Sequence, residues 1–258
     1  MNARKLEAIM PWALIAAMFV LWEVTCIVFR IDTFVLPRPT EVVASIVKRR
    51  DALAWHALHT FYTTMLGFVL AVVGGVLHGA LVGSSRLLYK GLYPLLIGFN
   101  SIPKVAVVPV LVIWFGIGVV PAVLTAFMVS FFPVTVNVAT GLATLEPELE
   151  DVLRALGASR RDILVKVGIP RSLPYLFASL KVAITLAFIG SVISETVASN
   201  EGIGYLILAA SARFDVPLVF AALTVIAVMG IVMYAVFAAI EGRMTGWATR
   251  KMDYPMGG

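Results

Sequence analysis

The chain has 258 residues, 60% of them hydrophobic and 14% charged, with a formal net charge of +5. Soluble domains carry about 25% charged residues, so the composition excludes an ordinary water-soluble globule and points to a membrane protein. A single cysteine, Cys26, excludes an internal disulfide framework and reads as a small buried hydrophobe.

A helix crossing the hydrocarbon core needs about 20 apolar residues. Residues 11–29 (PWALIAAMFVLWEVTCIVF) meet this with one blemish, Glu23. The basic MNARK ahead of them fits a signal peptide, but no small-x-small cleavage site follows, and an uncleaved first span is expected. Residues 37–50 (PRPTEVVASIVKRR) predict a short surface helix, with Thr40 as its cap and Val42, Val43, Ile46 and Val47 as its apolar face. Residues 60–85 carry no Asp, Glu, Lys or Arg. Within them Gly67, Ala71, Gly75, Gly79 and Gly83 recur every fourth position, a groove that lets another helix backbone approach closely. His78 beside that stripe reads as a packing histidine. Residues 105–145 are equally free of charge and too long for one span, so a hairpin is predicted at FGIGVVP, 115–121. Residues 173–198 and 217–240 complete six transmembrane helices, an all-α polytopic bundle.

Orientation follows from Lys and Arg. With the N-terminus inside, twelve fall in cytoplasmic segments (Arg4, Lys5, Arg86, Lys90, Arg154, Arg160, Arg161, Lys166, Arg171, Arg243, Arg250, Lys251). Six fall outside (Arg30, Arg38, Lys48, Arg49, Arg50, Arg213). Both termini are therefore expected in the cytoplasm. The basic charge is topological and gives no reason to expect nucleic-acid binding.

Between the fourth and fifth predicted spans lies DVLRALGASRRDILVKVGIPRSLP, 151–174. Pro147 and the acidic Glu146, Glu148, Glu150 and Asp151 suit a helix N-terminus, where fixed φ costs nothing and the dipole favours anions. Leu149, Val152, Leu153 and Leu156 recur at i, i+3, i+4, i+7, and Gly157 falls where a C-cap wants positive φ. Ser159 and Asp162 have capping-box spacing, and Ile163, Leu164 and Val167 open a second apolar face that Pro170 and Pro174 end. Two short helices with a fixed bend are predicted at the membrane surface. They serve either as packing against the chain's own bundle or as a rigid lever into a cytoplasmic partner.

This stretch resembles the EAA signature of the permease subunits of bacterial ABC importers. Asp151-Val152-Leu153 occupy its E-A-A places, Gly157 its glycine, and Val167, Ile169 and Pro170 its I-x-L-P places. Val-Leu for Ala-Ala adds bulk. FVLPRPTEVV (34–43), SIPKVAVVPVLVIWFGIG (101–118), ALGASRRDIL (155–164) and SETVASNEGIGYLI (194–207) look like segments of the nitrate/sulfonate/taurine branch of that family, so the likeness covers roughly residues 34–245. The resemblance implies one transmembrane permease domain of the type I importer class over residues 1–258, in a bacterial cytoplasmic (inner) membrane. It implies a second permease subunit, commonly as a homodimer, cytoplasmic ATPase subunits that hold ATP-Mg, and an external solute-binding protein, periplasmic or lipid-anchored. Residues about 146–170 would be the docking lever, with Asp151 and Arg154 as polar contacts, Gly157 setting the bend, and Ala158-Ser159 at the tip. The solute would be small and, in this reading, anionic.

No G-x-x-x-x-G-K-[ST] phosphate loop is present, so the chain itself is expected to hydrolyse nothing and to carry no cofactor. With three histidines, His56, His59 and His78, and no clustered Cys/His spacing, no metal centre is expected. Ionisable groups at membrane depth are candidates for the pathway. Glu195, near the outer end of the fifth span, and Lys104, beside Pro103, are the pathway or gating candidates. Lys181 reads as snorkelling to the interface. The competing function, a self-sufficient secondary transporter or channel, would call for matched halves or an ion relay, and the sequence displays one bent element without a second copy.

Overall fold

The computed structural model describes residues 3–83, 86–143 and 147–249. Helix α1 (Ala3–Val28) leads to the short α2 (Pro39–Lys48) and the long α3 (Arg50–Gly83). Helix α4 (Arg86–Ser101), a 3-10 turn at Lys104–Val107 and α5 (Val108–Phe115) follow, then α6 (Val119–Ala143). Helices α7 (Pro147–Ala155) and α8 (Arg160–Ile163) run through a π segment, Leu164–Gly168, into α9 (Ile169–Ala198). Helix α10 (Ile203–Ala212) and α11 (Val216–Thr249) close the chain. Among the described residues, five helices are long and apolar enough to cross a membrane, and the pair Leu87–Ser101 and Lys104–Phe115, bent by 75°, makes a sixth if taken as one broken span.

The count is thus five or six, and the sixth has a different membership from the one expected. The hairpin at 115–121 exists, as Gly116 and Gly118 take positive φ of 78° and 135°. Its first arm is not residues 105–115 alone, which at ~1.5 Å per residue reach only about half the hydrocarbon thickness. The arm begins at Arg86, and charges at Arg86, Lys90 and Lys104 hid it from a search for uncharged runs. Pro103 breaks it by removing an N–H donor. Prolines 170 and 174 lead into the fifth span as expected, but without a break between it and the element before. Pro170 sits in the first turn of α9 and Pro174 lies inside it. The wider π turn immediately before α9 lets the helix pass its prolines unbroken.

The glycine stripe of α3 lies against α6, with both helices running in the same direction. A Cβ on Gly67 would stand 2.5 Å from Ala126 Cβ, one on Gly75 2.8 Å from Val134 Cβ, and one on Gly79 2.6 Å from the Thr135 carbonyl oxygen. Helix α9 runs antiparallel to both and completes a core of Phe68, Ala126, Val134, Ala183, Ile184, Ala187 and Phe188. A second cluster at the other flank joins Val42 and Leu53 to Ile203, Ala210 and Leu218. Cys26 is fully buried and His78 packs its ring against Phe131 at 5.9 Å, both as read from the sequence.

Three charged residues acquire explanations that the sequence withheld. Thr40 does not cap α2, which begins one residue before it. Glu23 of α1 accepts hydrogen bonds from the Thr40 N–H (3.1 Å) and hydroxyl (2.9 Å), so the blemish in the first span holds the first turn of α2. Only Val42 and Ile46 of α2 face the core, while Val43 and Val47 point outward. Arg49, one of the six basic residues expected on the outer side, is paired with Asp215 at 2.8 Å. Lys181 does not snorkel but pairs with Glu241, tying α9 to α11 with both side chains mostly shielded. Because either charge alone would be left in a poorly solvated site, Lys181→Glu should lower stability by about 2 kcal/mol or more. Adding Glu241→Lys should restore most of it, measured as the thermal midpoint in detergent; a double variant no better than the single would show that the pair contributes nothing.

Candidate functional site

The bent segment between α6 and α9 is built as its caps dictate. The Gly157 N–H donates to the Arg154 carbonyl (2.9 Å) and the Ala158 N–H to the Leu153 carbonyl (3.0 Å), the two bonds of a Schellman ending to α7. That ending needs the left-handed backbone, and Gly157 has φ of +86°. The Ser159 hydroxyl then accepts the Asp162 N–H (3.1 Å) and donates to the Asp162 carboxylate, starting α8. Lys166 pairs with Asp162 at 2.8 Å. The Lys166 ammonium and the Ser159 hydroxyl hold the Asp162 carboxyl below its ordinary range, so this start loses its charge only when pH falls beneath that range.

Asp151 and Arg154 lie exposed on α7, Ala158 is half-buried at the turn, and Ser159 is exposed. The α7 stripe does not all turn inward. Leu153 and Leu156 line a groove with Ala158, Ile163 and Val167, yet Leu156 is 79% exposed at its edge and Val152, outside the groove, is 56% exposed. This shows how the bulk of Val152-Leu153 is housed: one side chain enters the groove and the other points away from the bundle. Glu146 lies outside the described residues, as do the side chains of Glu148, Leu149 and Glu150.

The two pathway candidates are not brought together. Lys104 sits at the break of the bent span, and its ammonium bonds the Asn100 carbonyl and, at 2.8 Å, the Asn100 side-chain oxygen. A cation there closes the last turn of α4. Glu195 lies at the end of α9 remote from the lever, 1% exposed. It accepts from the Thr60 hydroxyl (2.8 Å) and the Gly204 N–H (3.1 Å), with the Thr63 hydroxyl at 3.4 Å and Ser191 at 3.5 Å. Thr60 also accepts the Ile203 N–H (2.8 Å), and His56 Nδ1 accepts the Gly202 N–H (3.1 Å). His59 stands between two carboxylates, Nδ1 3.7 Å from Glu195 and Nε2 3.3 Å from Glu201. One buried carboxylate thus binds the N-terminus of α10 to α3 and α9.

His56, His59, Thr60, Thr63 and Glu201 were not singled out from the sequence. For the four on α3 the signal was the continuation of the glycine stripe toward its start, Thr60, Thr63 and Thr64, then Gly67; Glu201, in the loop before α10, had none. An uncharged span drawn from residue 60 cut that stripe where it turns polar.

Comparisons with known proteins agree with this architecture. The family model described as "Binding-protein-dependent transport system inner membrane component" matches residues 66–246, over two thirds of the chain. The formylaminopyrimidine transport permease protein ThiX of Halalkalibacterium halodurans is 28% identical over 96% of this chain and 99% of its own length. The riboflavin transport system permease protein RibX of Chloroflexus aurantiacus is 32% identical over 89% of this chain and 87% of its own. The nitrate import permease protein NrtB of Synechococcus elongatus is 29% identical over 79% of this chain and 77% of its own. Among solved structures, a chain of the MetNI methionine ABC transporter in an inward-facing conformation superposes with a TM-score of 0.63 at 20% identity, covering 73% of this chain and 94% of that one. The chain belongs to the binding-protein-dependent transport system inner membrane component family and is a multi-pass permease subunit of an ABC importer.

Proposed function

We propose that residues about 146–170 are the lever on which cytoplasmic ATPase subunits dock, and that ATP-driven closure of those subunits moves α9 through the π segment Leu164–Gly168. The exposed Val152 and Leu156 carry this reading. A capped, bent element that only packed on its own bundle would bury its large apolar residues; this one leaves two of them outward beside a glycine-set turn. Asp151, Arg154 and Ser159 surround them with polar contacts, and Ala158 stands at the tip.

The rest of the assembly follows from the same reading. One transmembrane domain pairs with a second permease subunit, an identical one in the simplest case, in a bacterial inner membrane with the lever and both termini on the cytoplasmic side. Chain topology supports that placement, because α1 starts and α11 ends at the lever's end of the bundle. The chain lacks a phosphate loop, so hydrolysis falls to the partner ATPases and their ATP-Mg, and a solute-binding protein delivers the solute from outside. The nitrate and sulfonate relatives support a small anion. The pyrimidine and riboflavin relatives support an aromatic heterocycle as the second reading.

Uptake into proteoliposomes tests this. Labelled nitrate, ethanesulfonate, formylaminopyrimidine and riboflavin are offered to the chain alone, and then to the chain with its cognate ATPase, binding protein and ATP. Uptake of one of them only in the full assembly is expected, and undiminished uptake by the chain alone would overturn the importer mechanism.

A further inference from the structure

The end of the bundle opposite the lever holds both histidines of α3's first turns, and neither has a role in the lever. Helix α10, only ten residues long, cannot span the membrane. Its N-terminus is held by acceptors of α3 and α9: Gly204 N–H to Glu195, Ile203 N–H to Thr60, Gly202 N–H to His56. The loop before it carries Glu201, and the α5–α6 loop rests beside it, the Gly118 N–H donating to the Ala198 carbonyl at 3.2 Å.

We propose that the His56–His59–Glu195–Glu201 cluster is a proton-sensitive latch that fixes the N-terminus of α10 at the end of the bundle where solute enters. A neutral imidazole donates from one nitrogen only, whereas the imidazolium donates from both. His59 faces a carboxylate at each nitrogen, and in the absence of a direct bond its buried Nδ1 is left without a partner. The charged form of His59 therefore attracts Glu195 at 3.7 Å and Glu201 at 3.3 Å together and draws the loop onto α9. His56 works in the opposite sense. Its Nδ1 accepts the Gly202 N–H, which only an unprotonated nitrogen can do. The ionisable side chains facing the pair are Glu195 from α9, Glu201 from the loop, Tyr205 of α10 against the His56 ring, and Tyr62 on α3's own face beside His59. The latch closes when His59 is charged and His56 is neutral, and it opens on both sides of that window.

Only the statement that solute enters at this end rests on the importer reading; the latch is measured without it. The full chain in lipid nanodiscs is followed by amide hydrogen exchange at Gly202, Ile203 and Gly204, corrected for intrinsic rates, from pH 5 to 9. Protection should pass through a maximum and fall about tenfold on each side, the equivalent of one charge-assisted hydrogen bond. His59→Gln should abolish the alkaline fall alone, and His56→Gln, whose side-chain oxygen still accepts, the acid fall at Gly202 alone, while Gly204, held by the Glu195 carboxylate, keeps its own acid fall. Protection that is flat in the wild type, or limbs at Gly202 that survive both substitutions, would overturn the latch. Failure of ATP-driven uptake with a normal exchange profile would instead overturn the importer reading.

Discussion

Gly157→Val in the assembled transporter is expected to cut ATP-driven uptake at least tenfold while the complex still hydrolyses ATP and the bundle still melts at its normal temperature. The reason is local. Nothing lies within 4 Å of the Cβ that Gly157 lacks, so the added side chain meets no obstacle. It meets the backbone instead: at φ of +86° a β-branched residue costs about 1–3 kcal/mol. Relief comes from abandoning the Schellman bonds to Arg154 and Leu153, which re-aims α8 relative to α7 and carries Leu156 and Val152 out of register with their partner. Gly157→Asn, which tolerates the left-handed region, should retain most uptake. A valine variant that transports normally would show that the bend does not carry coupling.

Gly79→Leu should have the larger effect on the fold. Its Cβ would approach the Thr135 carbonyl oxygen at 2.6 Å and Val138 Cβ at 2.8 Å, and the first of these is backbone that cannot rotate away. Helices α3 and α6 would have to separate along the seam that also seats Phe68 and Val134. Overpacking of cores costs about 1–3 kcal/mol where side chains can yield; against backbone, a loss of 3 kcal/mol or more is expected. The readout is a collapse of monodisperse yield in detergent and a drop of at least ten degrees in thermal midpoint. Gly91→Leu, at a site with open space, is the control and should change neither. An intact Gly79→Leu protein would mean that the stripe is not a seam.

Much of this architecture is legible residue by residue. Four-residue spacing of glycines announces a close helix contact, because only backbone-sized surfaces allow it in lipid. Gly157, Ser159 and Asp162 announce the lever, because caps act within one turn and read out locally. The lever's register was therefore available in full. The bent span was not, since three basic residues interrupt it and a search for uncharged runs discards them.

The histidine–carboxylate cluster was legible only as isolated letters. Glu195 was identifiable as an ionisable group at depth, yet its partners Thr60 and His59 lie more than 130 positions away in sequence. No periodicity links them; the antiparallel packing of α3 against α9 does. The same holds for Glu23 with Thr40, Arg49 with Asp215 and Lys181 with Glu241.

By itself, then, the sequence determined what depends on composition and on neighbours within a helical turn or two: a polytopic helical bundle, the glycine seam, the capped and bent lever, and the likeness to importer permeases. Only the tertiary structure decided which charges meet, that Glu195 is buried among hydrogen-bond donors, and that Val152 and Leu156 stay exposed. Pairing across helices is set by how whole faces pack, and a side chain's partner on another helix leaves no mark in the residues beside it.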